Sequence, residues 1–105
     1  MDKAAVLRII RDFCRALEAE HIQPQKIILF GSYSTCTQRP DSDIDLVVIS
    51  EDFVDKGYWE RIEILAAALC RVFEPIEAVA MTPEEWQRGD SMIADYARGG
   101  EVVYG

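Results

Sequence analysis

Three carboxylates and one Gly-Ser pair stand out in this sequence as groups that could do chemistry. Phe30-Gly31-Ser32 is followed, after ten residues, by Asp43-Ile44-Asp45, and Glu77 stands between Ile76 and Ala78. Side chains at i and i+2 of a strand share a face, so Asp43 and Asp45 should project together. Two adjacent carboxylates repel unless a cation lies between them. Such oxygen donors suit magnesium, which binds through one or two carboxylates plus substrate phosphates. Gly31 lets the backbone approach a ligand closely. The amides that follow it can hold phosphate oxygens, and the Ser32 hydroxyl adds a donor. A phosphate cradle facing a metal pair is what a metal–nucleoside triphosphate needs. Glu77 is the candidate third carboxylate; the competing reading is a solvent-facing residue on an edge strand.

The elements that must position these groups are legible in the hydrophobic pattern. Asp2 to Glu20 carries Val6, Ile9, Ile10, Phe13 and Leu17 on one helical face. Lys26-Ile27-Ile28-Leu29-Phe30 reads as a buried strand that Gly31-Ser32 ends. Tyr33 to Ser42 reads as a helical turn followed by a loop, and Asp43 to Ile49 as a second, β-branched strand. Gly57 to Glu74 is a second helix with the stripe Tyr58, Ile62, Leu65, Leu69 and Phe73, stopped by Pro75. Ile76 to Met81 is a third strand. Thr82-Pro83-Glu84-Glu85 is a capping box with proline at the first helical position. Gly89-Asp90-Ser91 interrupts that helix, a short helix runs from Ser91 to Arg98, and Glu101 to Tyr104 reads as an edge strand. Helices and strands alternating in this way predict an α/β (α+β) chain with a small mixed sheet flanked by helices, over residues 1–105 as one domain.

Composition limits the function classes. The 105 residues include 19 acidic and 11 basic ones, a formal charge of −8. That disfavours nucleic-acid binding by broad phosphate neutralisation, but not a nucleotide site, where metal ions reverse the local charge logic. Cys14, Cys36 and Cys70 are odd in number and lack a Cys-x-x-Cys pair, which argues against a disulfide framework or zinc site. Cys14 and Cys70 read as core residues, and Cys36 lies near the candidate site. His21 follows a helix and reads as a surface residue rather than a base. No stretch approaches the length of a membrane span, and the first segment is charged and amphipathic rather than a signal peptide, so the cytoplasm is the expected location.

At this point the sequence resembles a known family. Gly-Ser, ten residues, then Asp-x-Asp is the signature of the polymerase-β-like nucleotidyltransferase superfamily. The chain looks most similar to its minimal members, the MNT domains. The resemblance takes in the leading helix, Leu29-Phe30-Gly31-Ser32, Asp41-Ser42-Asp43-Ile44-Asp45-Leu46, the third strand, Thr82-Pro83-Glu84-Glu85-Trp86 and Glu101-Val102-Val103-Tyr104. It implies the polymerase-β-like fold. It also implies two Mg2+ ions held by Asp43, Asp45 and Glu77 as the catalytic carboxylates, with Gly31 and Ser32 on the β/γ-phosphates. It implies transfer of AMP from ATP to a tyrosine of a HEPN-type toxin protein, an antitoxin role, or binding to that partner without catalysis.

The chain departs from the family pattern in two places. The family usually continues Gly-Ser-x-Ala-Arg-Gly, whereas here Ser34-Thr35-Cys36 follows Tyr33, so the basic residue and second glycine are missing. A cation there would stabilise triphosphate charge; Arg39 is the candidate substitute. The third carboxylate is Glu, where Asp is more usual. Other acidic motifs fit less well. In haloacid-dehalogenase-type phosphatases the hydrophobic strand precedes Asp-x-Asp, and here it follows; an EF-hand loop from Asp41 would need glycine where Leu46 stands. Arg88-Gly89-Asp90 matches a cell-adhesion tripeptide by coincidence. Trp59 is expected to extend the packing of the second helix and Trp86 to cover the sheet.

Overall fold

The computed structural model describes residues 3–31, 44–89 and 92–105. Ser32 and Asp43, with Cys36 and Arg39, lie outside the described residues. The elements are α1 (Lys3–Ala19), β1 (Lys26–Phe30), β2 (Ile44–Ile49), a 3-10 turn (Glu51–Phe53), α2 (Tyr58–Val72), β3 (Ile76–Met81), α3 (Pro83–Arg88), α4 (Met92–Ala97) and β4 (Glu101–Tyr104). The four strands form one mixed sheet in the order β3-β2-β1-β4. β1 is antiparallel to both β2 and β4, while β2 and β3 are parallel. A parallel pair needs a long crossover, and α2 supplies it. Among the described residues no helix is long and apolar enough to cross a membrane.

The sheet is packed on both faces, which is why its central strands are apolar without alternation. On one face Ile27, Leu29, Ile44, Leu46 and Val48 meet Val6, Ile10, Phe13 and Leu17 of α1 and Leu65 and Ala68 of α2. On the other, Ile28, Val47, Ile49 and Met81 meet Ala94 and Ala97 of α4, with Trp86 of α3 packed against them. Trp86 therefore covers the sheet as expected. α1 ends where His21, exposed, takes a left-handed φ of 67° and Ile22 N–H reaches back to Leu17 O at 2.9 Å. That is a helix C-terminal cap.

The second helix corrects the expected stripe. Leu65 and Ala68 are buried, with Ile64, Leu69 and Val72 packed against the same core. Tyr58 and Phe73 lie outside it, and Ile62 is at the surface. Tyr58 sits in the first turn. Phe73 is the C-cap residue, with a φ of 58°, and so no longer follows the helical period. Trp59 is 73% exposed and meets Tyr58 edge-on at 5.2 Å, so it does not extend the helix's packing. Cys14 is buried, but Cys70 is exposed because it falls one residue past Leu69, about 100° around the helix. Burial first, then Glu18, pushes the Cys14 thiol up to about 11.

Candidate active site

Two of the three sequence-predicted carboxylates stand in register at one end of the sheet. β2 and β3 run parallel in a continuous register that places Asp45 directly beside Glu77. The face they share follows from their neighbours. Leu46 and Ala78 belong to the core under α1 and α2, while Val47 and Val79 belong to the opposite cluster. Asp45 and Glu77, one residue earlier, therefore lie on the Val47–Val79 face. Neighbouring strands are about 4.8 Å apart, so the two carboxylates can reach a common cation. Asp45 is half-buried and Glu77 exposed, which leaves the pair open to solvent on one side.

Gly31 supports this geometry from β1. Phe30 is the register partner of Asp45, and Gly31 follows it with a φ of 75°. A Cβ built on Gly31 would run into Oδ2 of Asp45. The glycine is required twice over: for its left-handed backbone and for the space the Asp45 carboxylate occupies. The turn before β3 borders the same end, because Ile44 N–H donates to Pro75 O at 2.7 Å. Phe73, 86% exposed, lies two residues before Pro75.

Among the described residues no three His, Cys, Asp or Glu side chains stand close enough to hold a metal ion. The two that do come together, Asp45 and Glu77, are oxygen donors on one face, a set that fits a hard divalent cation. The candidate site thus contains Asp45, Glu77 and Gly31; Ser32 and Asp43 lie outside the described residues.

The residue that sequence reasoning passed over is Arg61. Its side chain donates to Phe53 O at 2.8 Å and Lys56 O at 3.1 Å, and pairs with Glu85 at 2.7 Å. It also lies over the Phe53 ring, 5.9 Å from the centroid. Glu85 also accepts from Thr82 N–H at 2.8 Å, completing the predicted capping box. Burial pushes the Glu85 carboxyl up, but the bonds from Thr82 and the Arg61 guanidinium outweigh it and hold the group below its ordinary value. No local signal joins Arg61 to Glu85, since 24 residues separate them.

Known proteins share this architecture. The chain is 37% identical over 70 residues to the protein adenylyltransferase MntA of Shewanella oneidensis. That match takes in 66% of the chain and 45% of the relative, so the chain spans under half the length of the relative it matches. A provisionally assigned nucleotidyltransferase of Sulfolobus solfataricus superposes with a TM-score of 0.68 at 12% identity, over 97% of this chain and 87% of that one. A toxin–antitoxin structure with AMP-PNP gives 0.62 at 25% identity, over 90% and 72%. A mutant MntA–HpeT toxin–antitoxin complex gives 0.55 at 21%, over 100% and 74%. With the nucleotidyltransferase domain matching residues 7–95, most of its length, this chain belongs to the nucleotidyltransferase domain family.

Proposed function

We propose that this chain is a metal-dependent nucleotidyltransferase that moves AMP from ATP to a protein acceptor. The observation that carries the reading is the in-register pair Asp45–Glu77, with Gly31 seated against the Asp45 carboxylate. Asp43, two positions before Asp45 in the sequence, is the third catalytic carboxylate. Asp43, Asp45 and Glu77 would hold Mg2+, two ions in the full site, and Gly31 and Ser32 would bind the phosphates. When bound, the metal ions neutralise triphosphate charge and favour in-line displacement. The protein's own part is to fix the carboxylates on rigid strands and to bring the Gly31 backbone close to the phosphates. An acceptor hydroxyl oxygen forms a bond to the α-phosphorus, the bond to the bridging oxygen breaks, pyrophosphate leaves and the hydroxyl proton passes to water.

A relative named a protein adenylyltransferase supports AMP as the group moved, and a similar toxin–antitoxin structure with AMP-PNP supports an adenine nucleotide. We take the acceptor to be a tyrosine of a HEPN-type toxin in the cytoplasm, and the role to be that of an antitoxin. One observation favours a second reading, a binding module with feeble catalysis: Thr35-Cys36 replaces the usual Arg-Gly after the phosphate loop.

Calorimetric titration of the four nucleoside triphosphates, with magnesium and with EDTA, tests the site. The enzyme reading expects magnesium-dependent ATP binding that an Asp43→Asn/Asp45→Asn variant loses, followed by transfer of labelled AMP to the toxin. Binding without transfer would establish the second reading. No binding by correctly folded protein would overturn both nucleotide readings.

A further inference from the structure

A groove along the edge of the described sheet is built as a slot for a strand. β3 is an edge of the described sheet, with β2 on one side and no strand on the other. Its last four residues, Ala78–Met81, form the floor of an open cavity of about 550 Å³. α2 forms one wall through Tyr58, Ile62 and Leu65, and α3 forms the other through Glu85 and Arg88. The Arg61–Glu85 ion pair joins the two walls, and Ala78, at the other end of the floor, adjoins Glu77.

Three features of this slot point to its occupant. First, an edge strand presents unpaired N–H and C=O groups, and proteins usually guard such edges with lysine, proline or a bulge. Ala78-Val79-Ala80-Met81 has no charge and no proline, and its pairing with β2 has no register shift. The opposite edge, β4, begins with Glu101 and pairs through a register shift. Second, among the described residues the lining carries Lys56, Arg61 and Arg88 against one acidic residue, Glu85, a positive site on a chain of net charge −8. Among the described residues Lys56 and Arg88 pair with exposed Asp55 and Glu84, at 3.4 and 3.8 Å. Such surface pairs are weak and give way readily to a better partner. Third, Tyr58 and Trp59 stand exposed at the end of α2 that borders the slot. Exposed aromatic side chains of this kind are enriched at protein interfaces.

We infer that the α2–β3–α3 groove binds an extended segment of a partner protein, which adds to β3 as a fifth strand and brings aliphatic side chains and a carboxylate. Backbone pairing supplies affinity and the side-chain walls supply selectivity. The acidic charge of this chain disfavours a second copy as occupant. A strand laid along β3 would lead its end to Glu77. That consequence alone rests on the enzyme reading; the groove assignment does not.

The test needs no nucleotide. The probe is a fluorescein-labelled eight-residue peptide of alternating valine and threonine with glutamate at each end. Its anisotropy is followed as the folded protein is added. Binding is expected to weaken about tenfold when lysines replace the glutamates, or when Arg88→Glu is introduced. Ile62→Asp should weaken it similarly, with circular dichroism confirming that both variants fold. N-methylation of alternate peptide amides should abolish it, and bound peptide should slow hydrogen exchange at Ala78–Met81. No anisotropy change at up to about 1 mM of binding partner would overturn the assignment. Undiminished binding of the N-methylated peptide would overturn it too. Light scattering showing a dimer that Ile62→Asp dissociates would replace the peptide with a second copy.

Discussion

The two ends of β2 solve opposite problems with neighbouring residues. From Leu46 to Ile49 every side chain is buried, and the strand runs on into Ser50, whose hydroxyl donates to Gln23 O at 2.8 Å and accepts from Asp52 N–H at 3.1 Å. Gln25 and Asp52 close the same end by taking the Glu51 and Gln23 amides, each at 2.8 Å. Among the described residues no buried side-chain polar atom lacks a partner. At the other end Asp45 and Glu77 put two carboxylates side by side, with glycine rather than a packed side chain beside them. One end is organised for stability. The other brings two oxygen-donor residues into register, an arrangement that suits a cation. A strand held firmly at one end can keep those donors in place at the other.

This contrast is broken most sharply at Asp45. Asp45→Asn should weaken magnesium-dependent ATP binding by at least about 100-fold, since it removes a metal donor outright. Its urea midpoint should move far less than that of a core variant, because the Asp45 side chain is only half-buried. A large fall in stability would mean that Asp45 is structural, and the division between the ends would fail. One residue on, Leu46→Ala should do the reverse. Removing a fully buried leucine costs roughly 2–5 kcal/mol, measured by urea denaturation, while the protein that remains folded keeps its nucleotide affinity.

Gly31→Ala tests the joint between the two regions, because it combines strain with displacement. A left-handed alanine costs roughly 1–2 kcal/mol, and its Cβ would push the Asp45 carboxylate aside. Both stability and magnesium-dependent binding should fall. A loss of stability alone would show that Asp45 can be moved without harm to the site.

The same contrast explains what could be read from the sequence. The packed end was legible because period and caps are local. β1, β3 and β4 have the expected bounds, β2 ends at Ile49 as expected, and the Thr82–Glu85 capping box is present. The errors lie where a pattern outruns its element. Phe73 continued the α2 stripe on paper, but it is a left-handed cap beyond the helix, and Trp59 stands in solvent against Tyr58. At the site, the Asp45 and Gly31 positions followed from motif spacing. Glu77 was a choice between two faces that its own strand could not decide. The register with β2, a long-range fact, sets it beside Asp45, while its exposure on an edge strand is also what the solvent-facing reading expects. Arg61 and the β3 groove depend on the same kind of tertiary pairing and leave no local trace.

The smallest effect should come from Glu85, at the stable end. Its carboxylate accepts from Thr82 N–H and pairs with Arg61, and the net result is a lowered folded-state pKa. A depressed carboxylate stabilises fully at pH values above its unfolded value near 4.5. As the pH falls below that, the unfolded chain takes up the proton first, and the contribution drains away until the folded carboxyl is protonated too. Glu85→Gln keeps an oxygen acceptor for Thr82 but removes the charge. The wild type should therefore exceed this variant in stability at pH 7, and the gap should narrow at a pH below 4.5. With the Glu85 side chain 36% exposed, solvent screening holds the difference to about 0.5 kcal/mol. Urea midpoints at the two pH values resolve it. A gap that does not change with pH would mean that the Arg61–Glu85 link acts through shape rather than charge, and that closure of this end of the groove does not depend on ionisation.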